Sequence, residues 1–256
     1  MLRRLFTSTL LTAAAVAAFV AGAAQAQPDA TKAPAPGGAS APATPAVNKG
    51  SLFSAITFAD SAFGAEWSRL RAEAQARYPD LVLTRVEDLH VTVVYIGGDW
   101  KPEDLDRIRA LALVAPAAAV PHTPEVVPLG RNNQVVAVEM HGASTVWADS
   151  VVAAKAALNR LGLKKPEGFD TNFRAHITLA RASHNPPTPA DSTALAGFRS
   201  WIGAKVAANP QKFALTVGPA TRVLLLLAGT ARPDGAPEYV TVEDFLAQQP
   251  VPPAAK

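Results

Sequence analysis

The sequence contains no cysteine, and its excess of one charge sign is small, with 24 lysine and arginine residues against 21 aspartate and glutamate residues. Without cysteine there are no disulfides, no zinc site built on thiolates and no lipid attached to a cysteine. A chain of 256 residues can bury a core large enough to fold without disulfides. The small charge excess indicates no large basic face for duplex nucleic acid, which leaves a small anionic ligand or a strand end as a possible partner.

The first 26 residues predict a secretory signal peptide. A short basic start, MLRR, precedes an uncharged apolar run, and Ala24 and Ala26 then stand where a signal peptidase cleaves. The alternative is a retained membrane anchor, because the run approaches the roughly 20 residues that span a bilayer. We expect cleavage, a periplasmic or secreted protein without stable membrane association, and a monomer. Loss of Arg3 and Arg4 lowers the 24 basic residues to 22, against 21 acidic residues, so the mature protein is nearly neutral.

Two segments predict disorder and bound the folded part of the chain. Residues 27–50 consist mainly of proline, alanine, glycine, serine and threonine, and the tail 248–256 has the same character. Such segments cannot bury enough apolar surface to offset the entropy lost on ordering. We therefore predict one folded domain over residues 51–247.

The spacing of apolar residues within this domain predicts an α+β fold. Helical spacing recurs around residues 67–74, 102–111, 145–161 and 195–206. Strands are predicted in SLFSAITF, LVLTRV, HVTVVYIG, QVVAVEM, HITLAR, KFALTV, TRVLLLLAG and EYVTV. Four prolines between residues 115 and 130 indicate a loop or an edge strand there. Helices and strands alternate without a regular βαβ rhythm, which favours largely antiparallel sheets.

Two of these strands carry the same polar pair, His90 with Thr92 and, eighty-six residues later, His176 with Thr178. Residues two apart in a strand point to the same face, so each histidine shares a face with its threonine. The branched apolar residues between them point to the other face. One such pair is more often a core histidine bonded to a backbone carbonyl. Two copies in similar strands would bring two imidazoles and two hydroxyls together if both strands faced one cleft.

That set of groups suits the cleavage of a phosphodiester. The reaction needs a base for the nucleophile and an acid for the leaving oxygen, and the ordinary pKa of histidine, about 6.5, suits both roles. Threonine hydroxyls can donate to the phosphoryl oxygens where charge develops. A zinc site is the weaker interpretation, because only two histidines are paired and no acidic residue stands at ligand spacing near them. The other histidines, His122, His141 and His184, lack a threonine partner and are interpreted as surface residues.

The segments HVTVVYIG and HITLAR resemble the two signatures of the two-histidine phosphoesterase superfamily, and in particular those of the bacterial RNA 2',3'-cyclic phosphodiesterases, also called 2'-5' RNA ligases. The order of elements is similar too, with an opening strand, a helix, a first motif ending in Ile-Gly and a second ending in Ala-Arg. The resemblance covers roughly residues 51–246. It implies a bilobal fold, with two lobes of mostly antiparallel sheet, outer helices and a central cleft.

The resemblance also implies an activity and the residues that carry it. His90 and His176 would form the acid–base pair, and Thr92 and Thr178 would hold the phosphate. Arg181, which closes the second motif, would add a cation. The implied reaction is hydrolysis of the 2',3'-cyclic phosphate of a small nucleotide or an RNA end to a 2'-phosphate, without metal or cofactor. The sequence leaves open which histidine is the base.

Several alternatives stay open at this point. The same site could act on another phosphoester, or the protein could be a nucleotide-binding module without turnover. Strict alternation turns Arg181 away from His176 unless the strand bends, and it makes Tyr95 a core aromatic. Arg174 shares a face with His176 but could equally be a solvated surface residue. Aromatic side chains in the cleft would favour a nucleotide substrate.

Overall fold

The computed structural model describes residues 50–142, 145–233 and 235–248. The predicted signal peptide, residues 27–49 of the predicted linker and nearly all of the predicted tail lie outside these residues. Those predictions therefore stay predictions. Within the described part of the chain, no helix combines the length and the apolar character that a membrane crossing requires.

Strands and helices alternate irregularly along the described residues. The strands are β1 Ser51–Thr57, β2 Val82–Leu83, β3 His90–Gly97, β4 Val120–Leu129, β5 Val135–Gly142, β6 His176–Arg181, β7 Leu215–Val217, β8 Leu224–Ala231 and β9 Pro237–Thr241. The helices are α1 Ala62–Arg77, α2 Leu105–Ala112, α3 Thr145–Arg160, α4 Pro189–Ala208, α5 Pro210–Phe213 and α6 Val242–Ala247. Short 3₁₀ turns lie at Val86–Asp88, Pro102–Asp104 and Arg131–Asn133.

The strands form one sheet in the order β7-β4-β5-β6-β3-β1-β8-β9, and β2 pairs with β6 outside this path. Every pairing is antiparallel. The two halves of the sheet, one ending in β6 and the other beginning with β3, are in register at one residue pair, Val91 with Ile177. The predicted α+β class with two lobes of antiparallel sheet is therefore confirmed.

The sheet curls around a cleft. The rings of His90 on β3 and Tyr239 on β9 lie 4.8 Å apart between centroids, although β1 and β8 separate the two strands. In a flat sheet three strand spacings would put these strands about 14 Å apart. The main core lies on the other side of the sheet, where residues of the outer helices such as Trp67, Leu158 and Phe198 pack with the apolar residues of the motif strands.

Helix ends follow the chemistry of the sequence. Ser61 caps α1 by accepting a hydrogen bond from the backbone N–H of Gly64 at 3.1 Å. Thr188 caps α4 in a capping box with Asp191, and Pro189 occupies the first helical position. Gly162 follows α3 with a φ of 67°, a backbone conformation in which glycine has no Cβ penalty. The four predicted helices are confirmed as α1, α2, α3 and α4.

Three predicted segments differ in detail. The proline-rich segment forms the strand β4. Strand β7 pairs with only its first three residues, so most of one edge of β4 has no strand partner. Prolines are tolerated along that edge because no backbone N–H is needed there for pairing. The segment LVLTRV forms only the two-residue strand β2, because a 3₁₀ turn begins at Val86. In KFALTV, Phe213 ends α5 and only Leu215–Val217 is a strand.

Candidate active site

The two motifs meet at the centre of the sheet. Val91 and Ile177, the apolar residues inside the two motifs, face each other in the antiparallel register of β3 and β6. Both are almost completely buried, at 1 % and 0 % exposure, on the side of the helices. Because side chains alternate along a strand, the histidine and threonine on either side of each face the cleft.

Antiparallel pairing also crosses the two motifs. With Val91 opposite Ile177, the next positions place Thr92 beside His176 and Thr178 beside His90. All four polar residues are partly buried. Within the described residues neither threonine hydroxyl has a hydrogen-bond partner in the protein. Each imidazole therefore has a free hydroxyl from the other motif at its side.

Each histidine is bonded to the backbone carbonyl two residues before it. His90 Nδ1 lies 2.7 Å from the carbonyl oxygen of Asp88, and His176 Nδ1 lies 2.8 Å from that of Arg174. A carbonyl oxygen only accepts, so both Nδ1 atoms donate and carry a proton. Nε2 is then the nitrogen of each ring that remains for proton exchange.

A β-bulge brings Arg181 to the cleft face. The register between β5 and β6 runs from Ala137 opposite Thr178 to Val136 opposite Ala180, so β6 holds an extra residue, Leu179. Leu179 and Ala180 are both buried, and Arg181 returns to the face of the motif. The alternation that turns Arg181 away is broken by this bulge.

The first motif contains the same irregularity. Ala55 is opposite Thr92 and Ser54 is opposite Val94, which leaves one extra residue, Val93, in β3. The Ser54 hydroxyl accepts the Val94 N–H at 3.1 Å, so the bulge leaves that amide bonded. Tyr95 returns to the cleft face and lines the cavity there. Tyr95 packs against a small apolar cluster, as expected of a core aromatic, but it does so on the cleft side of the sheet and not in the main core.

The His90 imidazole lies among aromatic rings and cations. Its centroid is 5.3 Å from that of Phe53 and 4.8 Å from that of Tyr239. Burial and the positive charges of His176 and Arg181 together lower the pKa of His90 to about 4, although the bond to the Asp88 carbonyl raises it. His90 is therefore neutral at physiological pH.

His176 has a carboxylate beside it. Glu139 lies opposite His176 in the register of β5 and β6, and Arg174 holds it with two hydrogen bonds, the one from Nε to Oε1 at 2.7 Å. Burial lowers the pKa of His176, while the bond to the Arg174 carbonyl and the charge of Glu139 raise it and the Arg174 guanidinium lowers it. The carboxylate favours the protonated ring. Among the described residues, no acidic side chain is a comparable cause for the pKa of His90.

A cavity of about 320 Å³ opens next to the second histidine. Its lining includes Thr92, Tyr95, Leu129, Lys155, Phe169, Asn172, Phe173, Arg174 and His176. Phe169 exposes 52 % of its surface, which is unusual for an aromatic ring. The buried Lys155 ammonium donates to the carbonyl oxygens of Phe169 at 3.4 Å and Asn172 at 2.8 Å, and so holds this loop against the cleft.

Glu139, Lys155, Phe169 and Tyr239 belong to the site but are not among the residues predicted from the sequence. A signal exists for the first two, because each is a lone charged residue among apolar ones. Glu139 interrupts the strand QVVAVEM, and Lys155 lies on the apolar stripe of α3 between Val151 and Leu158. No signal in the sequence joins Phe169 or Tyr239 to the motifs, because both reach the cleft only through the fold.

The other histidines lie away from the motif pair. His141 and His184 are exposed, as predicted. His122 is not, because it is buried on β4, where its Nδ1 donates to the Met140 carbonyl at 3.1 Å and its ring packs on Trp147. The interpretation of His122 as a surface residue is therefore wrong. Among the described residues, no three or more His, Cys, Asp or Glu side chains lie where they could hold a metal ion.

A second cavity, of about 490 Å³, lies beyond the end of β6 and contains a serine, a histidine and an aspartate. The Asp191 carboxylate accepts from Ser183 Oγ at 3.0 Å, His184 Nδ1 at 2.9 Å and Thr188 Oγ1 at 2.8 Å. The serine hydroxyl also meets Nδ1, the ring nitrogen that faces the aspartate, so it has no base of its own. These groups close the first turn of α4 and form no nucleophilic triad.

Several solved structures are similar to this chain at low sequence identity. The sequence matches no protein-family model and no curated protein. Among solved structures, E. coli LigT complexed with phosphate is 18% identical with a TM-score of 0.48, covering 75% of this chain and 94% of that chain. A structure described as a phosphoesterase is 19% identical with a TM-score of 0.48, covering 75% and 95%. The protein TT0787 of Thermus thermophilus is 19% identical with a TM-score of 0.45, covering 75% and 94%. At these TM-scores the function has to be argued from the side chains of this chain.

Proposed function

We propose that this protein hydrolyses 2',3'-cyclic phosphodiesters, as free nucleotides or RNA ends, to 2'-phosphates. The observation that carries the proposal is the crossed pair of motifs on one face of the sheet. Two imidazoles with the same tautomer, each beside a free threonine hydroxyl of the other motif, supply a base, an acid and two phosphate donors.

The proposed reaction is one in-line displacement. A water oxygen attacks phosphorus while Nε2 of His90 takes a proton from that water. The bond from phosphorus to O3' breaks, and Nε2 of His176 gives its proton to O3'. Thr92 and Thr178 donate to the non-bridging oxygens, where negative charge increases. The products are a 2'-phosphate and a free 3'-hydroxyl, and a proton returned from His90 to His176 through solvent resets the site.

The surroundings of the two rings support this division of roles. A base must be unprotonated before the reaction, and the burial of His90 among Phe53 and Tyr239 favours its neutral form. An acid must hold a proton, and the Glu139 carboxylate favours the charged form of His176. Exchange of the two roles would work against both surroundings.

The cleft lining supports a nucleotide as the substrate. Phe169 is half-exposed and lines the cavity that contains His176. Phe173 lines the same cavity and packs on Trp147 at 4.7 Å between centroids. A base can stack on such a ring without regard to its identity. The cavity of about 320 Å³ is in the range of small-ligand sites, which favours a nucleotide or a strand end over a folded RNA.

The test is hydrolysis of cytidine 2',3'-cyclic phosphate by the purified protein in EDTA, with phosphorus NMR to identify the product. We expect 2'-phosphate, and a loss of roughly 10²-fold to 10⁴-fold in kcat for His90→Ala and for His176→Ala, the range of general acid–base catalysis. His141→Ala, which removes an exposed histidine outside the cleft, serves as the matched control and should keep full activity.

Two further measurements on the same variants separate the alternatives. A site that acts on another phosphoester would leave the cyclic nucleotide intact but cleave a bis(p-nitrophenyl) phosphate panel in a His90-dependent manner. A nucleotide-binding module would show calorimetric binding of the cyclic nucleotide without turnover. Turnover that survives both histidine substitutions would show that the proposed acid–base pair is wrong.

A further inference from the structure

The two histidines resemble each other in motif, tautomer and backbone bond, and the first has a ring contact with the C-terminal hairpin formed by β8 and β9. Tyr239 on β9 packs its ring against the His90 imidazole at an interplanar angle of 70°. Phe53 lies against both rings, at 5.3 Å from His90 and 5.7 Å from Tyr239 between centroids. Among the ring contacts of the described residues, none involves His176.

The same hairpin holds the segment that fixes the His90 tautomer. The Arg232 guanidinium donates to both carboxylate oxygens of Asp88, the bond from Nη2 at 3.5 Å, and Nη1 also meets the Pro237 carbonyl at 3.4 Å. Both side chains are largely buried, at 17 % and 5 % exposure. The carbonyl of Asp88 is the acceptor for His90 Nδ1. Arg232 therefore holds the backbone group that orients the imidazole.

The hairpin also reaches the other half of the sheet. Burial raises the pKa of the Tyr239 phenol, and the positive charge of the nearby Arg181, the last residue of the second motif, lowers it. The side chains of Tyr239 and Arg181 are both partly exposed on the cleft face. One tyrosine thus packs against the histidine of the first motif and lies within the electrostatic influence of the arginine of the second.

We propose that the C-terminal hairpin is the positioning element of the base in this site, with Tyr239 and Arg232 as positioning residues for His90. The inference rests on the proposed function for its chemistry, but its geometry stands on these contacts alone. The hairpin fixes one histidine by a ring contact and a buried ion pair, and it leaves the other to Glu139. The two similar motifs therefore have different surroundings, and the residues that make them different lie outside both motifs.

The groups that face His90 define what a substitution must change. They are the side chains of His176 and Arg181 from β6 and of Tyr239 from β9. The backbone carbonyl of Asp88 also bonds to the ring, and its carboxylate is paired with Arg232. Removal of the Tyr239 ring admits water to the imidazole, whereas loss of the hydroxyl alone removes the polar group near Arg181 and keeps the ring contact. Tyr239→Ala and Tyr239→Phe therefore separate the two contributions.

The experiment combines histidine NMR with kinetics on the full-length protein. Long-range proton–nitrogen spectra report the tautomer and the titration of each imidazole, and kcat and KM are measured with cytidine 2',3'-cyclic phosphate. For Tyr239→Ala we expect the His90 titration to move up towards the ordinary range and kcat to fall by about 10²-fold, the cost of a misplaced group, with KM nearly unchanged. Tyr239→Phe should retain more than roughly a tenth of kcat. Tyr78→Phe, a tyrosine packed on Phe198 far from the cleft, is the matched control.

Arg232 is tested by charge and by rescue. Arg232→Met should reduce the Nδ1–H population of His90 and lower kcat, and Arg232→Lys should restore part of both, because a lysine can still pair with Asp88. Unchanged tautomer and titration of His90 in both Tyr239→Ala and Arg232→Met would overturn the inference. The NMR result decides this whether or not the protein turns over the cyclic nucleotide. If the wild-type protein does not hydrolyse the cyclic nucleotide, the proposed function is wrong. The NMR spectra still test whether the hairpin positions His90.

Discussion

Single residues next to the two histidines carry opposite charges. The carbonyl that accepts from His90 belongs to Asp88, and the one that accepts from His176 belongs to Arg174. Each of these residues is in an ion pair of its own, the first with Arg232 and the second with Glu139. Because only backbone oxygens bond to the imidazoles, the tautomers are equal while the electrostatic surroundings differ. The same motif can therefore supply both a base and an acid.

These surroundings predict an acidic optimum for the proposed activity. The proposed route needs neutral His90 and protonated His176. His90 has a pKa of about 4, so its base form is lost only as the pH falls below that value. The pKa of His176 lies below its ordinary value of 6.5, so the acid form is lost as the pH rises through a value under 6.5. We expect a bell-shaped profile of kcat/KM between these limits, measured on cytidine 2',3'-cyclic phosphate.

Glu139→Gln tests the upper limb of that profile. The substitution removes the carboxylate that raises the pKa of His176 and leaves the Arg174 guanidinium, which lowers it. The upper limb should therefore move to lower pH. Glu243→Gln, at an exposed carboxylate paired with Arg109, should leave the profile unchanged. A limb that moves to higher pH in Glu139→Gln would assign the acid role to another group.

At the scale of the strand, the functional unit is longer than His-x-Thr. In both motif strands an apolar doublet follows the threonine, Val93-Val94 in one and Leu179-Ala180 in the other, and both members of each doublet are buried. The bulges at these doublets return Tyr95 and Arg181 to the cleft. Each bulge can be recognised in the sequence, because two apolar residues follow one another where strict alternation would place a polar residue second.

Elements and motifs could be predicted from the sequence because they depend on local spacing. The helices around Trp67 and Phe198 and both His-x-Thr strands follow from periodicity, and they occur in the structure. The partners of the histidines could not be predicted in this way. Glu139 and Tyr239 reach the site through strand order and sheet curvature, which depend on contacts between residues distant in sequence. Periodicity along one segment carries no information about those contacts.

The junction of the two motif strands predicts a stability effect. Ile177 is fully buried and forms the registered pair with Val91 that joins β6 to β3. Ile177→Ala should lower the free energy of unfolding by about 2–5 kcal/mol, and Ile177→Val by about 0.5–1.5 kcal/mol, measured by urea denaturation. Ile202→Ala, at an equally buried isoleucine in α4, should cost a similar amount.

Activity distinguishes the two isoleucines. Ile177→Ala should lower kcat even where the variant is fully folded, because the cavity lets the two motifs shift against each other. Ile202→Ala should keep the kcat of the wild type under the same conditions, because it lies on a helix away from the cleft. Equal kcat in the two variants would show that the junction has no part in aligning the histidines.

At the scale of the molecule, the curled sheet divides its contacts between two sides. Its outer side packs on the helices in one large core, and its inner side carries the small cluster of Phe53, Ala55 and Leu226, with Tyr95 and Tyr239 against it. The polar groups of the site lie on this inner side because the apolar residues between them are used by the core. The loop before β6 closes the open end of the cleft. The Lys155 ammonium holds that loop by donating hydrogen bonds to two of its carbonyl oxygens.

That loop presents the exposed ring of Phe169 to the cleft, and its substitution tests whether the protein recognises a base. Phe169→Ala should lower kcat/KM for cytidine 2',3'-cyclic phosphate by roughly 5-fold to 150-fold, the loss of about 1–3 kcal/mol of stacking. Glycerol 1,2-cyclic phosphate, which has no base, should be hydrolysed equally by variant and wild type. Leu161→Ala, an exposed leucine outside the cavity lining, is the matched control and should affect neither substrate. An equal loss for both substrates would mean that Phe169 shapes the loop, and that recognition by this molecule ends at the phosphate.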